Sequence, residues 1–231
     1  MSQAMALRKN LSPQQLARLA GVFYLMDFAF GPGMYAMRKL VVLGDAPKTA
    51  TNILAHATLY QLGFAGNLIA IATYVAVTAL FYELFKPVNR TVSLLAAFFS
   101  LMGCAVLAVG CVFYLAPLLA LESGQAPSLA LLLLKLYAQS FNTSIVFFSL
   151  YCLLIGYLIF RSSFMPRILG VGMMVAGLGW LPFLWPPLMH SLSPYVMLAG
   201  IGEGALVVWL LVKGVNSERW NEQAAASRLS A

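Results

Sequence analysis

Apolar residues gather in six long runs along this chain, separated by short polar segments. The runs cover about residues 17–36 ("ARLAGVFYLMDFAFGPGMYA"), 60–84, 92–117, 143–160, 167–185 and 195–213. Each is close to the ~20 residues that a helix needs to cross the hydrocarbon core of a bilayer. The ~10-residue alternation of barrel strands is absent, and within lipid a helix satisfies its own backbone groups. The pattern predicts an all-α polytopic membrane protein with six transmembrane helices. They form a single transmembrane domain over residues 1–231, with a flexible cytoplasmic tail over 217–231.

The polar segments refine this picture. "KPVNR" and "RSSFMP" are short, and Pro87 and Pro166 stop helix continuation, so each joins an antiparallel helix pair. The segment before the second run offers Asp45 as an N-cap and Pro47 in a first turn. Ile53, Leu54, Ala57 and Leu59 follow at near-helical spacing, which predicts an amphipathic helix at the outer surface. Residues 125–142 read similarly. Residues 128–160 form either one long tilted helix or a surface helix broken near Asn142 before the fourth span.

Composition supports lipid as the solvent. The 231 residues are 61% hydrophobic and 9% charged, whereas a soluble domain carries ~25% charged residues. The expected partner is therefore the lipid bilayer. A net charge of +7 on a soluble chain would suggest nucleic acid. Here the cations stand singly at span ends, so no nucleic-acid partner is expected. With the N-terminus inside, ten cations fall on inner segments: Arg8, Lys9, Arg18, Lys86, Arg90, Arg161, Arg167, Lys213, Arg219 and Arg228. Four fall outside: Arg38, Lys39, Lys48 and Lys135. The positive-inside rule then places both termini in the cytoplasm. Trp180 and Trp185 suit the outer interface and Trp220 the inner one. The first run reads as a retained span and not a cleaved leader.

Against this background the intramembrane polar residues stand out. Glu203 and Asp27 each lie ~12–15 Å along a span, near mid-depth. An acid facing lipid there costs ~2.5–3.5 kcal/mol, so both should face the bundle interior. If they meet they should share a proton. Gly200 and Gly204 give the Glu203 helix a GxxxG spacing for close helix approach. Pro32, within Gly31–Pro32–Gly33, frees a backbone carbonyl beside Asp27. Broken helices near midplane acids recur at transporter sites. Asn67 and Lys135 complete the set of ligand-binding or proton-handling candidates, Lys135 as a counter-charge if its helix dips into the bilayer. Interhelical hydrogen bonding alone is the competing role for all of these.

Cys104, Cys111 and Cys152 lie in apolar runs without metal or redox spacing and read as small buried hydrophobes. His56 and His190 are the two histidines, and a catalytic zinc wants three protein ligands. No serine-hydrolase, zinc-protease or phosphate-loop motif is present. No metal, cofactor or catalytic residue is expected.

Several stretches, taken in order, resemble a known family. They are "ARLAGVFYL", Gly44–Asp45, "TNILAH", "YQLGFAGNLI", "FKPVNRTVSLLAAFF", "FFSLYCLLIGYLIFRSSFMPRILG" and "GEGALVVWLLVKGVN". Together they cover most of residues 17–216 and resemble the bacterial multi-pass membrane proteins grouped as domain of unknown function 4386. The resemblance implies a helical integral protein of the bacterial inner membrane and no activity. Three functional readings follow. The first is a protein that binds or passes a small hydrophobic or protonatable solute at the acids. The second is a structural or regulatory protein that associates with another membrane protein. The third is a lipid-modifying enzyme.

Overall fold

The computed structural model describes residues 11–30, 40–42 and 44–229, with side chains omitted at 186 and 189–199. The described residues are helical, with no strand. Helix α1 spans Pro13–Phe30, α2 Ala46–Ala55, α3 Ala57–Phe85, α4 Arg90–Glu122 and α5 Pro127–Arg161. Helix α6 spans Arg167–Trp180 and runs into a 3-10 turn over Leu181–Leu184. Helices α7, Pro186–Val212, and α8, Ser217–Leu229, follow. Four segments are long and apolar enough to cross a membrane: α3, α4, α5 and α6 with its 3-10 turn. Residues 200–212 form a shorter apolar helix.

Local chemistry sets the helix starts. Ser12 and Gln15 form a reciprocal capping box: Gln15 N–H donates to Ser12 Oγ at 3.2 Å and Ser12 N–H to Gln15 Oε1 at 2.8 Å. Pro13 follows in the first helical position, where a missing N–H does no harm. Asp45 caps α2 by accepting from Lys48 N–H at 2.9 Å, as expected from sequence. Asn89 caps α4 by accepting from Val92 N–H at 3.0 Å. Asn89→Ala is expected to cost about 1 kcal/mol of stability, measured as a lowered thermal unfolding temperature in detergent.

Three segments are helical over more residues than the apolar runs alone mark. The fourth span was expected over 143–160, but α5 is one helix of 35 residues from Pro127. No residue breaks it, because its mid-helix hydroxyls turn back on their own backbone. Ser140 donates to Leu136 O and Thr143 to Gln139 O, at 3.0 and 2.9 Å. Helix α4 runs through Pro117 to Glu122, past the expected end at 117. Residues 217–229, expected within a flexible tail, are helical and folded back. Trp220 Nε1 donates to Leu84 O at 2.8 Å, and Asn216 N–H to Phe164 O at 3.1 Å.

Helices α1, α3, α4, α5, α6 and α7 pack as successive neighbours, and α1 against α7 closes the ring. One end of this ring holds the start of α1, the 86–89 and 162–166 turns and the end of α7. Gln14 ties this end together: its Nε2 donates to Lys213 O at 2.9 Å and its Oε1 accepts from Val215 N–H at 2.8 Å. The main core lies inside the ring, around Tyr24, Phe81, Phe85, Tyr151 and Leu210. A second core lies beneath α2, around Ile53, Tyr60, Tyr114, Leu118 and Tyr137. The outward faces are apolar, with Phe98, Val112, Ile168 and Val208 at least 60% exposed. That is the dress of a surface in contact with lipid.

Glycines bring the last three ring helices close. A Cβ on Gly156 would stand 2.7 Å from Gly170 O, and one on Gly170 would stand 2.6 Å from Gly156 O. A Cβ on Gly202 would collide with Gly172 O. The expected GxxxG pair does not make this contact. At Gly200 and Gly204 a methyl would meet no atom within 4 Å among the described residues. Glu203 points inward, which puts Gly202 on one flank and Gly200 and Gly204 on the other.

Candidate functional site

Glu203 is met by donors from three other helices. Tyr24 Oη, on α1, donates to Glu203 Oε2 at 2.7 Å. Trp180 Nε1, at the end of α6, donates to Oε1 at 2.7 Å. Cys152 Sγ, on α5, lies 3.7 Å from Oε1, within range of a thiol hydrogen bond. The carboxyl therefore ties α7 to α1, α5 and α6 across the interior of the ring.

Backbone arithmetic puts these groups at one level. At ~1.5 Å per residue, Cys152 lies about 14 Å from the end of α5 at Arg161. Glu203 lies about 15 Å from Lys213, Tyr24 about 16 Å from Pro13 and Trp180 about 20 Å from Arg167. All four ends lie on the side of the bundle where Gln14 sits.

Aromatic packing holds Tyr24 in place. Its ring stacks on Phe28 and meets Tyr74 and Phe81 edge-on, with centroids 5.5–6.2 Å apart. Tyr74 in turn meets Tyr151 edge-on at 5.9 Å. Tyr151 is buried, and its hydroxyl has no hydrogen-bond partner among the described residues.

Asp27 lies one helical turn beyond Tyr24 and is half-buried. It stands within electrostatic range of Glu203, of Cys104 on α4 and of Tyr151. Glu203 itself is surrounded by a hydroxyl, a thiol and an indole group. The proton-carrying options are limited. Indole can only donate, so Oε1 of Glu203 is an acceptor. A proton on the carboxyl would sit on Oε2, facing Tyr24 Oη.

The other two candidates lie elsewhere. Asn67 Nδ2 donates to Tyr137 Oη at 3.1 Å, about 27 Å along α3 from Phe85. It belongs to the second core, where Tyr60 Oη donates to Tyr114 O and the Tyr60 and Tyr114 rings stack at 4.7 Å. Lys135 is exposed, about 39 Å along α5 from Arg161. It reaches neither acid. The Gly31–Pro32–Gly33 kink and the His190 side chain lie outside the described residues. No group of three or more His, Cys, Asp and Glu gathers as metal ligands among the described residues.

Sequence reasoning passed over Tyr24, Trp180, Cys152 and Tyr151. Tyr24 carried one signal, its spacing of three before Asp27, which puts both on one helix face. Trp180 was assigned to the outer interface by residue type, and the structure gives its N–H to Glu203 instead. Cys152 was expected as a plain buried hydrophobe. It is buried, and its thiol also faces the carboxyl.

The chain matches the family described as "Domain of unknown function (DUF4386)" over residues 19–214. It is 26% identical over 161 residues to an uncharacterized protein of Archaeoglobus fulgidus, covering 68% of this chain and 85% of that one. No solved structure matches.

Proposed function

Because the chain belongs to the family of domain of unknown function 4386, which names no activity, we propose a function from the interior acids themselves. The protein is a six-span protein of the cell membrane, with both termini cytoplasmic. It binds or passes a small hydrophobic or protonatable solute and handles its proton at Glu203 and Asp27. The observation that carries this reading is Glu203 held by Tyr24, Trp180 and Cys152, with Asp27 in electrostatic range of it.

Two further points support it. A buried hydroxyl without a partner costs about 1–3 kcal/mol, so Tyr151 favours a polar guest such as water or a solute atom beside both acids. Asp27 has no described side chain bonded to its carboxyl, which leaves it available to exchange a proton with that guest. The six-span reading takes α1 and α7 as crossing with the four longer segments. An even number of crossings agrees with Gln14 and residues 213–215 meeting on one side of the ring.

The test is proton uptake by proteoliposomes containing the full chain, read with an entrapped pH-sensitive dye under an imposed gradient. Glu203→Gln and Asp27→Asn keep the shape and remove the titrating group. Uptake is expected to fall by about 100-fold, in line with the usual worth of a positioned acid–base group. Uptake by both variants equal to the parent's would remove the proposal.

A second reading has one observation in its favour. Gly200 and Gly204 form a bare strip beside exposed Ile201, where a helix of another membrane protein could approach closely. Gly177 does not belong to that surface. Its added Cβ would stand 2.8 Å from Ser149 O inside the α5–α6 contact.

A further inference from the structure

A basic cleft lies at the Gln14 end of the bundle. Helix α8 folds back against the α3–α4 turn, anchored by Trp220 on Leu84 O and by Gln223 Oε1, which accepts from Ser163 N–H at 3.0 Å. Between them lies a cleft of about 540 Å³. Its lining brings three cations together from separate segments: Lys86 from the turn, Arg90 from the start of α4 and Arg228 from the last turn of α8. Among the described residues no carboxylate lines it. The one acid beside it, Glu83, pairs with Lys86. Arg90 and Arg228 are exposed.

The surroundings say which anion. The cleft sits where the apolar stretches of α3 and α4 stop, at Phe85 and Arg90. Beyond Arg90, at intervals of four, come Leu94 and Phe98 on the same face of α4, both exposed. A basic pocket thus continues into an apolar track along the outside of a membrane-length helix. We propose that this cleft binds a phosphate ester, the headgroup of an anionic phospholipid, whose acyl chain lies along Leu94 and Phe98. The guanidinium forks of Arg90 and Arg228 match phosphate oxygens, while Lys86 is paired with Glu83. Trp220 closes one wall.

The experiment uses the purified full chain in detergent and counts retained lipid by native mass spectrometry. Phosphatidylglycerol and phosphatidylcholine are added in parallel. The parent is expected to retain the anionic lipid over the zwitterionic one, and Arg90→Gln with Arg228→Gln to weaken that retention by roughly 30-fold, about fivefold per cation. Lys213→Gln with Arg161→Gln removes two exposed cations from the same end but outside the cleft, and is expected to change nothing. If the double variant fails to fold, Arg228→Gln alone, near the chain's end, should show about the fivefold step. Equal retention of both lipids by the parent, or equal loss in the cleft and control variants, overturns the proposal. Excess inorganic phosphate separates the two sources of the ester. Displacement of the phospholipid points to a soluble phosphate compound in the same cleft, and undiminished retention points to the lipid.

Discussion

Replacing Glu203 with leucine is expected to lower the unfolding temperature sharply, while Glu203→Gln stays close to the parent. The reason lies in what each substitution leaves behind. Leucine fills the space but accepts no hydrogen bond, so Tyr24 Oη and Trp180 Nε1 lose their shared acceptor. Each buried donor left unmatched costs about 1–3 kcal/mol, more than the bond itself is worth when made. Tyr24 is buried and carries that full cost of about 1–3 kcal/mol, and half-buried Trp180 adds a smaller part. Glutamine keeps an amide oxygen for Trp180 and turns its NH₂ toward Tyr24 Oη, which can accept. Thermal unfolding in detergent, followed by tryptophan fluorescence, reads the difference. A leucine variant as stable as the glutamine one would mean that the three-helix tie to Glu203 does not hold the ring together. The glutamine variant is also what makes the transport test interpretable, since it separates loss of a proton site from loss of the fold.

The second large effect is expected where α5 and α6 touch. Gly156 and Gly170 each present the other's backbone oxygen at under 3 Å to any added Cβ. The obstruction is backbone on both sides, so no side-chain rotation relieves it, and the helices must separate. Gly170→Ala is expected to cost at least about 1–3 kcal/mol, the usual range for overpacking, and Gly170→Val more. The proper comparison is Gly200→Ala, where the new methyl meets nothing within 4 Å among the described residues. There the helix should gain about 0.5–1 kcal/mol, because alanine loses less backbone freedom than glycine. Opposite signs at two glycines of one membrane bundle, measured in the same unfolding assay, would establish which glycine contacts are structural. A Gly170→Ala variant no less stable than the parent would contradict the packing.

These two cases also mark what the amino-acid pattern could and could not disclose. Apolar runs of membrane length gave the helices their places, and Asp45, Pro47, Pro87 and Pro166 gave several of their ends. The inward position of Glu203 followed from the cost of exposing an acid to hydrocarbon. The identity of its partners did not follow. Tyr24, Cys152 and Trp180 lie 179, 51 and 23 residues away in sequence, and their meeting depends on how helices cross. A tyrosine or cysteine in an apolar run looks the same whether its polar atom is used or not. The GxxxG pattern was silent on its neighbour for a related reason: spacing names a strip of a helix but not the side on which a neighbour lies. The place of Lys135 was open in the sequence because the length of α5 was open. Once it is one helix of 35 residues, Lys135 is carried far from the acids.

The closure of the ring by its first and last helices bears on how the protein is made. Translation delivers α1, then α5, then α6, and only afterwards α7. Tyr24, Cys152 and Trp180 are therefore all synthesised before Glu203. During biogenesis the donors await the acid, and not the reverse. An unmatched carboxyl is the most expensive of these groups to hold in hydrocarbon, and this order shortens the time for which it must be held there. The final helix then docks into a place already furnished for its charge.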